Sequence, residues 1–148
     1  MLYLEDFAPG QTYGSGQLTV TEADVIRFAT EFDPQPFHLD DGAAQNSLFG
    51  GLAASGWHTA AMTMKLLVGS ELTPAGGIIG AGFEELSWPR PVRPRDVLRV
   101  QSEVLEVRAS KSRPTQGLIK VRGTTINQDD KPVQVFVGHL MVQARPTV

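Results

Sequence analysis

The sequence predicts an α+β fold in which an antiparallel sheet covers one long helix. Two observations carry this. Apolar residues recur every three or four positions through the first half of the chain, and alternate with polar ones through much of the second. The second-half runs are separated by short turn segments, as consecutive antiparallel strands require. A length of 148 residues suits one domain spanning residues 1–148, with enough chain to bury a core.

Residues 1–20 read as irregular, with a short strand around residues 17–20. Thr21 then starts a helix. Its hydroxyl suits the cap, and Glu22 and Asp24 suit the positive end of the helix dipole. Val25, Phe28, Ala29 and Phe32 follow at helical spacing and are expected to form the buried stripe. Pro34 and Pro36 end the helix, because each lacks an amide hydrogen and restricts the residue before it. Residues 40–45 read as a short helical turn, and Phe49-Gly50-Gly51 as a flexible break. A longer helix is expected over residues 55–72. Trp57, Ala60, Ala61, Met64, Leu67 and Val68 form its apolar stripe, and Leu52, Met62 and Leu66 add apolar character elsewhere. Four strands follow, at residues 78–88, 96–107, 118–126 and 132–142. The alternation is plainest where Leu98, Val100, Ser102 and Val104 interleave with Arg99, Gln101 and Glu103. Asn127-Gln128-Asp129-Asp130-Lys131 is turn chemistry.

Hydrophobic residues make up 41% and charged residues 20%, which argues against an unstructured chain. A formal charge of −3 gives no bulk attraction to nucleic acid or to an anionic membrane. The chain has no cysteine, so disulfides, thiolate metal sites and a cysteine nucleophile are out. Scattered histidines without carboxylates at metal spacing argue against a zinc site. There is no phosphate-binding glycine loop with its lysine, and no Gly-x-Ser-x-Gly motif. The start, Met1-Leu2-Tyr3-Leu4-Glu5-Asp6, turns acidic too soon for a signal peptide, and no apolar run reaches the length of a membrane span. A cytoplasmic protein is expected.

The segment Asp33-Pro34-Gln35-Pro36-Phe37-His38 carries the chemistry. Two prolines stiffen it and lower the entropy lost on fixing it. It presents a carboxylate and an imidazole, a suitable acid–base pair. Phe32 and Phe37 stand beside the carboxylate and are expected to desolvate it and raise its pKa. Spacing alone, however, favours a plainer reading. Asp33 then caps a turn, His38 is a half-buried histidine with its bonds satisfied, and Asp40 caps the next helix.

The same segment resembles the Asp-x-Asn-Pro-x-His pattern of MaoC-like acyl dehydratases and (R)-specific enoyl-thioester hydratases. The surroundings resemble that family in matching order. Thr19-Val20-Thr21-Glu22-Ala23-Asp24 and Val25-Ile26-Arg27-Phe28-Ala29 look like its first helix. His38-Leu39-Asp40, Phe49-Gly50-Gly51-Leu52-Ala53-Ala54-Ser55-Gly56 and Arg90-Pro91-Val92-Arg93-Pro94-Arg95-Asp96 look like its later segments. The resemblance implies a hot-dog fold, in which an antiparallel sheet wraps the long central helix. It implies reversible hydration of a 2-enoyl thioester, within fatty acid metabolism, with no metal or redox cofactor. Asp33 and His38 would hold a water between them as general acid and base. Gly56 would offer its amide to the thioester carbonyl, as the start of a helix favours negative charge. A glycine that only permits a tight helix start fits Gly56 equally well. Gln35, Ser55 and Trp57 are the expected substrate contacts. The implied partner is a coenzyme A or acyl-carrier thioester, and a homodimer or higher homo-oligomer is expected.

Three positions depart from the pattern. Gln35 stands for Asn, Ser55 for a histidine that commonly precedes the glycine, and Arg95 for a glycine at the strand start. They suggest a divergent branch, with another acyl group or a weaker activity. Two other functions fit the same segment: a hot-dog thioesterase, and a non-catalytic acyl-thioester binding module. Of the remaining candidates, His58 reads as a polar residue at a helix start and His139 as a satisfied sheet residue. Arg90, Arg93 and Arg95, like Lys111 and Arg113, suit coenzyme A phosphates but suit a solvated surface slightly better. Trp57 and Met64 line either an acyl tunnel or the core.

Overall fold

Thr21 caps the first helix as its composition predicts. Its side chain accepts a hydrogen bond from the Asp24 amide at 3.1 Å. Asp40 caps the short helical turn in the same way, accepting from the Ala43 amide at 2.9 Å. The structure is a computed structural model that describes residues 1–147; the last position of the expected 1–148 domain lies outside them. The first half holds two short strands, β1 (Thr12–Gly14) and β2 (Leu18–Thr19). Four helices follow: α1 (Glu22–Phe32), α2 (Pro36–Leu39), α3 (Asp41–Gln45) and α4 (Gly56–Val68). The second half holds the long strands β3 (Ile79–Ser87), β4 (Val97–Ala109), β5 (Gln116–Ile126) and β6 (Pro132–Gln143).

Hydrogen bonding orders the sheet β1-β4-β5-β6-β3, with β2 also pairing β4, and every pairing within it is antiparallel. Alternation places Leu98, Val104, Ile119, Val121 and Phe136 on the inner face, against Met62 and Leu66 of α4. This is the hot-dog arrangement. β1 went unseen in the sequence because three residues carry no readable alternation. Among the described residues, no helix is long and apolar enough to cross a membrane.

Both long apolar stripes differ from expectation. In α1, Val25 and Ala29 are buried, Phe28 is half-buried and Phe32 is 68% exposed. In α4 the buried stripe is His58, Thr59, Met62, Thr63, Leu66 and Leu67. Trp57, Met64 and Val68 face outward. The threonines reach the core because their hydroxyls are satisfied there. Thr63 Oγ1 lies 2.6 Å from Thr125 Oγ1 of β5, and Thr59 Oγ1 donates to the Ser55 carbonyl. The helix also stops at Val68, short of residue 72. Gly69 follows, and Ser70 Oγ donates to the Leu67 carbonyl at 2.7 Å.

His58 is buried in the α1–α4 contact, not at a solvated helix end. Its ring stacks on Phe28 with centroids 4.8 Å apart and planes 9° apart. Its Nδ1 has no hydrogen-bond partner among the described residues. Burial holds its pKa below the ordinary imidazole value; nearby Asp24 opposes this and Arg27 reinforces it. The unfolded chain therefore takes up the proton more readily than the folded one. The stability tied to neutral His58 is complete above about pH 6.5, the ordinary value, and is lost as pH falls below it. Urea unfolding should show a lower midpoint at pH 5.5 than at pH 7.5, and His58→Phe should shrink that difference.

The turn before β4 is held by Asp96, whose carboxylate accepts from the Arg93 amide at 2.9 Å and from Gln128 Nε2 at 3.0 Å. In that turn Arg95 adopts φ +78°. A side chain in this left-handed region costs roughly 1–2 kcal/mol relative to an unstrained residue. Arg95→Gly should therefore hold or raise the melting temperature, despite the extra freedom glycine gives the unfolded chain.

Candidate active site

Asp33 sits where α1 ends. Its amide closes the last turn on the Ala29 carbonyl at 2.9 Å. Pro34 then turns the chain, so that the Gln35 amide donates back to the Asp33 carbonyl at 2.8 Å. Pro36 occupies the first position of α2, where its missing amide hydrogen does no harm. That short helix delivers His38, which is buried. The stiff loop therefore brings the two side chains together: His38 Nε2 lies 3.4 Å from Asp33 Oδ2.

Ser55 caps α4, accepting from the Trp57 amide at 3.2 Å. Its hydroxyl donates to Asp33 Oδ2 at 2.7 Å. The end of α1 is thus bonded to the start of α4. Gln35 Nε2 donates to Asp33 Oδ1, so both carboxylate oxygens are held. Burial alone would raise the Asp33 pKa. The bonds from Gln35 and Ser55, with the charge of His38, outweigh it and leave the carboxyl below its ordinary value. The expected rise does not occur. Phe32 faces solvent, and Phe37 packs edge-on against His38 at 4.6 Å instead of enclosing the carboxylate.

His38 Nδ1 lies 2.6 Å from the Ala53 carbonyl, which can only accept. Nδ1 therefore carries a hydrogen, and neutral His38 presents a bare Nε2 toward Asp33. Any further proton on the ring resides at Nε2. The Ala53 segment is itself pinned. Its amide donates to the Phe37 carbonyl, and the Ala54 amide to Val92.

A cavity of about 310 Å³ opens beside His38, lined also by Phe49, Gly56, Thr59, Trp88 and Arg90. Gly56 lies in the first turn of α4, where amides lack internal acceptors. Its own amide donates to nothing among the described residues. A Cβ at Gly56 would come within 2.8 Å of the Trp88 ring, so the position admits little beyond hydrogen. Close packing and a bare amide coexist at this residue. Gln35 and Ser55 do not line the cavity; their side chains turn to Asp33. Trp57 lies elsewhere. It meets Trp88 edge-on at 5.4 Å and lines an apolar groove of about 160 Å³ with Met64, Leu67, Phe83 and Phe136.

Residues 6–126 match the MaoC like domain family. The chain belongs to that family. A MaoC-like dehydratase from Rhodospirillum rubrum aligns over 99% of this chain and 100% of its own, at 53% identity and a TM-score of 0.96. The uncharacterized protein YdeM of Bacillus subtilis (strain 168) is 35% identical, over 94% of this chain and 96% of its own. R-Hydratase PhaJ1 from Pseudomonas aeruginosa aligns over 97% of this chain and 86% of its own, at 26% identity and a TM-score of 0.74. The MaoC-like domain thus stands in a family of dehydratases and hydratases, and its hot-dog fold agrees with both of these solved structures.

Two parts of this MaoC-like site had no signal in the sequence. Ala53 contributes only a carbonyl, which any residue possesses. Arg93 is neither the coenzyme A contact nor the solvated surface residue that its sequence suits, because its guanidinium points inward. It donates to the carbonyls of Gly51 at 2.7 Å, Leu52 at 3.3 Å and Phe49. Asp41 completes the clamp by accepting from the Leu52 amide at 2.9 Å. The clamp fixes the segment that leads into Ala53. His139 is a satisfied sheet residue, with Nε2 3.0 Å from Glu84 Oε1.

Proposed function

We propose that this MaoC-like protein, acting as one domain, adds water across the double bond of a 2-enoyl thioester and removes it in reverse. The observation that carries the reading is the approach of His38 Nε2 to Asp33 Oδ2, at 3.4 Å, beside a cavity lined by Gly56. A water within reach of both atoms from one side loses a proton to the pair as its oxygen attacks C3, and the pair returns a proton to C2. The roles of acid and base are assigned to the pair. The Gly56 amide donates to the thioester oxygen as negative charge gathers there. Ser55 and Gln35, the expected substrate contacts, act by holding the carboxylate, and Trp57 by lining the acyl groove. The carrier is coenzyme A or an acyl carrier protein.

The test is hydration of crotonyl-CoA, followed by loss of enoyl-thioester absorbance. Turnover supports the proposal. Release of free coenzyme A without hydration would mark a thioesterase instead. Saturable binding of a panel of enoyl thioesters without turnover would mark a binding module.

The same reading includes a homodimer. β3 is an outer strand with one unpaired edge, and it is exposed along most of its length. Phe83 (66% exposed) lies on it, while Trp57 (60%) and Val68 (60%) project outward from α4. A second copy on this face would cover the apolar groove. Light scattering should give a dimer mass, and Phe83→Asp should shift it toward the monomer with the circular dichroism unchanged.

A further inference from the structure

Five basic residues suit phosphate recognition on sequence grounds, and the structure separates them. Arg93 is consumed by backbone carbonyls, and Arg95 lines a different cavity, beside Thr21 and Asp41. Lys111 lines a cavity beside Arg108 and Met141, and Arg113 belongs to the same loop, between β4 and β5. Arg90 alone of the five lines the cavity that holds His38 and Gly56.

Among the described residues, no carboxylate lies within ion-pair distance of Arg90. Its one hydrogen bond runs from Nη1 to the Pro132 carbonyl, at 3.3 Å. Of its donors, four are left for a ligand. Pro89 and Pro91 flank it and limit the backbone freedom lost on binding. The acid of the site, Asp33, does not line the cavity, and its charge is already engaged by Ser55, Gln35 and His38. Among the described residues, the cavity wall therefore carries one exposed cation without an acidic partner.

We infer that Arg90 determines substrate specificity by binding an oxyanion group of the thioester substrate. That group is a phosphate of the carrier or a carboxylate on the acyl chain. Both present paired oxygens to a guanidinium. This inference rests on reading the His38 cavity as the thioester site.

The experiment compares wild type, Arg90→Gln and Arg90→Lys on three compounds: crotonyl-CoA, crotonyl-pantetheine, and an enoyl-CoA with a terminal carboxylate. Calorimetric binding is measured beside hydration, and circular dichroism checks each fold. Loss of one charged hydrogen bond should weaken binding roughly tenfold or more. If the anion is a phosphate, Arg90→Gln raises KM and Kd for both coenzyme A thioesters and leaves crotonyl-pantetheine unchanged. If it is the acyl carboxylate, only the third compound loses affinity. In either case Arg90→Lys restores part of the loss. Equal behaviour of Arg90→Gln and wild type on all three overturns the inference. Arg90-dependent binding with no hydration by the wild type would leave Arg90 in place and overturn the hydratase reading.

Discussion

Asp33→Asn and His38→Gln should each lower kcat/KM for crotonyl-CoA by roughly 10²–10⁴-fold, with the fold intact. The Asp33 carboxylate takes Ser55 Oγ on one oxygen and Gln35 Nε2 on the other. An asparagine can accept only one of those donors through its oxygen; its amide nitrogen must face the other. The substitution therefore removes the charge and turns the side chain at once. Ser55→Ala separates these effects, because it keeps the charge and loses one tether. A small loss in Ser55→Ala beside a large one in Asp33→Asn would assign the effect to the charge. Similar losses in both would assign it to placement. Wild-type rates in Asp33→Asn and His38→Gln would remove the pair from the chemistry. The His38 substitution tests the other half, since glutamine cannot take up a proton.

Arg93→Ala should destabilise the protein by about 3 kcal/mol, read from urea unfolding. The guanidinium satisfies the carbonyls of Phe49, Gly51 and Leu52, and the latter two residues are buried. Alanine leaves those acceptors to find new partners or none. Because the clamped segment leads to Ala53, which fixes the His38 tautomer, activity should fall along with stability. Arg93→Lys should recover only part of both, since an ammonium lacks the planar fork that reaches separate carbonyls. An unchanged midpoint in Arg93→Ala would show that solvent serves those carbonyls as well.

The parts of the site that were legible in the sequence are local. Pro34 and Pro36 end α1 and present Asp33 and His38 within six residues, so spacing and stiffness are written in one stretch. Thr21 and Asp40 cap helices three residues ahead of the amides they accept from. The parts that were not legible are carried by distant partners. The lowered pKa of Asp33 rests first on nearby Gln35 but also on Ser55, 22 positions on, and the buried face of α4 depends on Thr63 meeting Thr125, 62 positions on. Period alone put Trp57 and Met64 in the stripe because they are apolar. It had no means of knowing that two threonines would be satisfied inside and two large side chains left outside. The hot-dog arrangement came from resemblance and the order of the sheet from the structure, since alternation fixes neither.

The left-handed backbone at Arg95 shows how little of this turn is owed to the residue that bends. Arginine does not favour that conformation, and its neighbours hold it there: the Asp96 carboxylate takes the Arg93 amide and Gln128, and the Arg95 amide itself is tied to the Val20 carbonyl. The bend is imposed on position 95 from outside it, so the main chain here answers to its surroundings and not to the letter it carries.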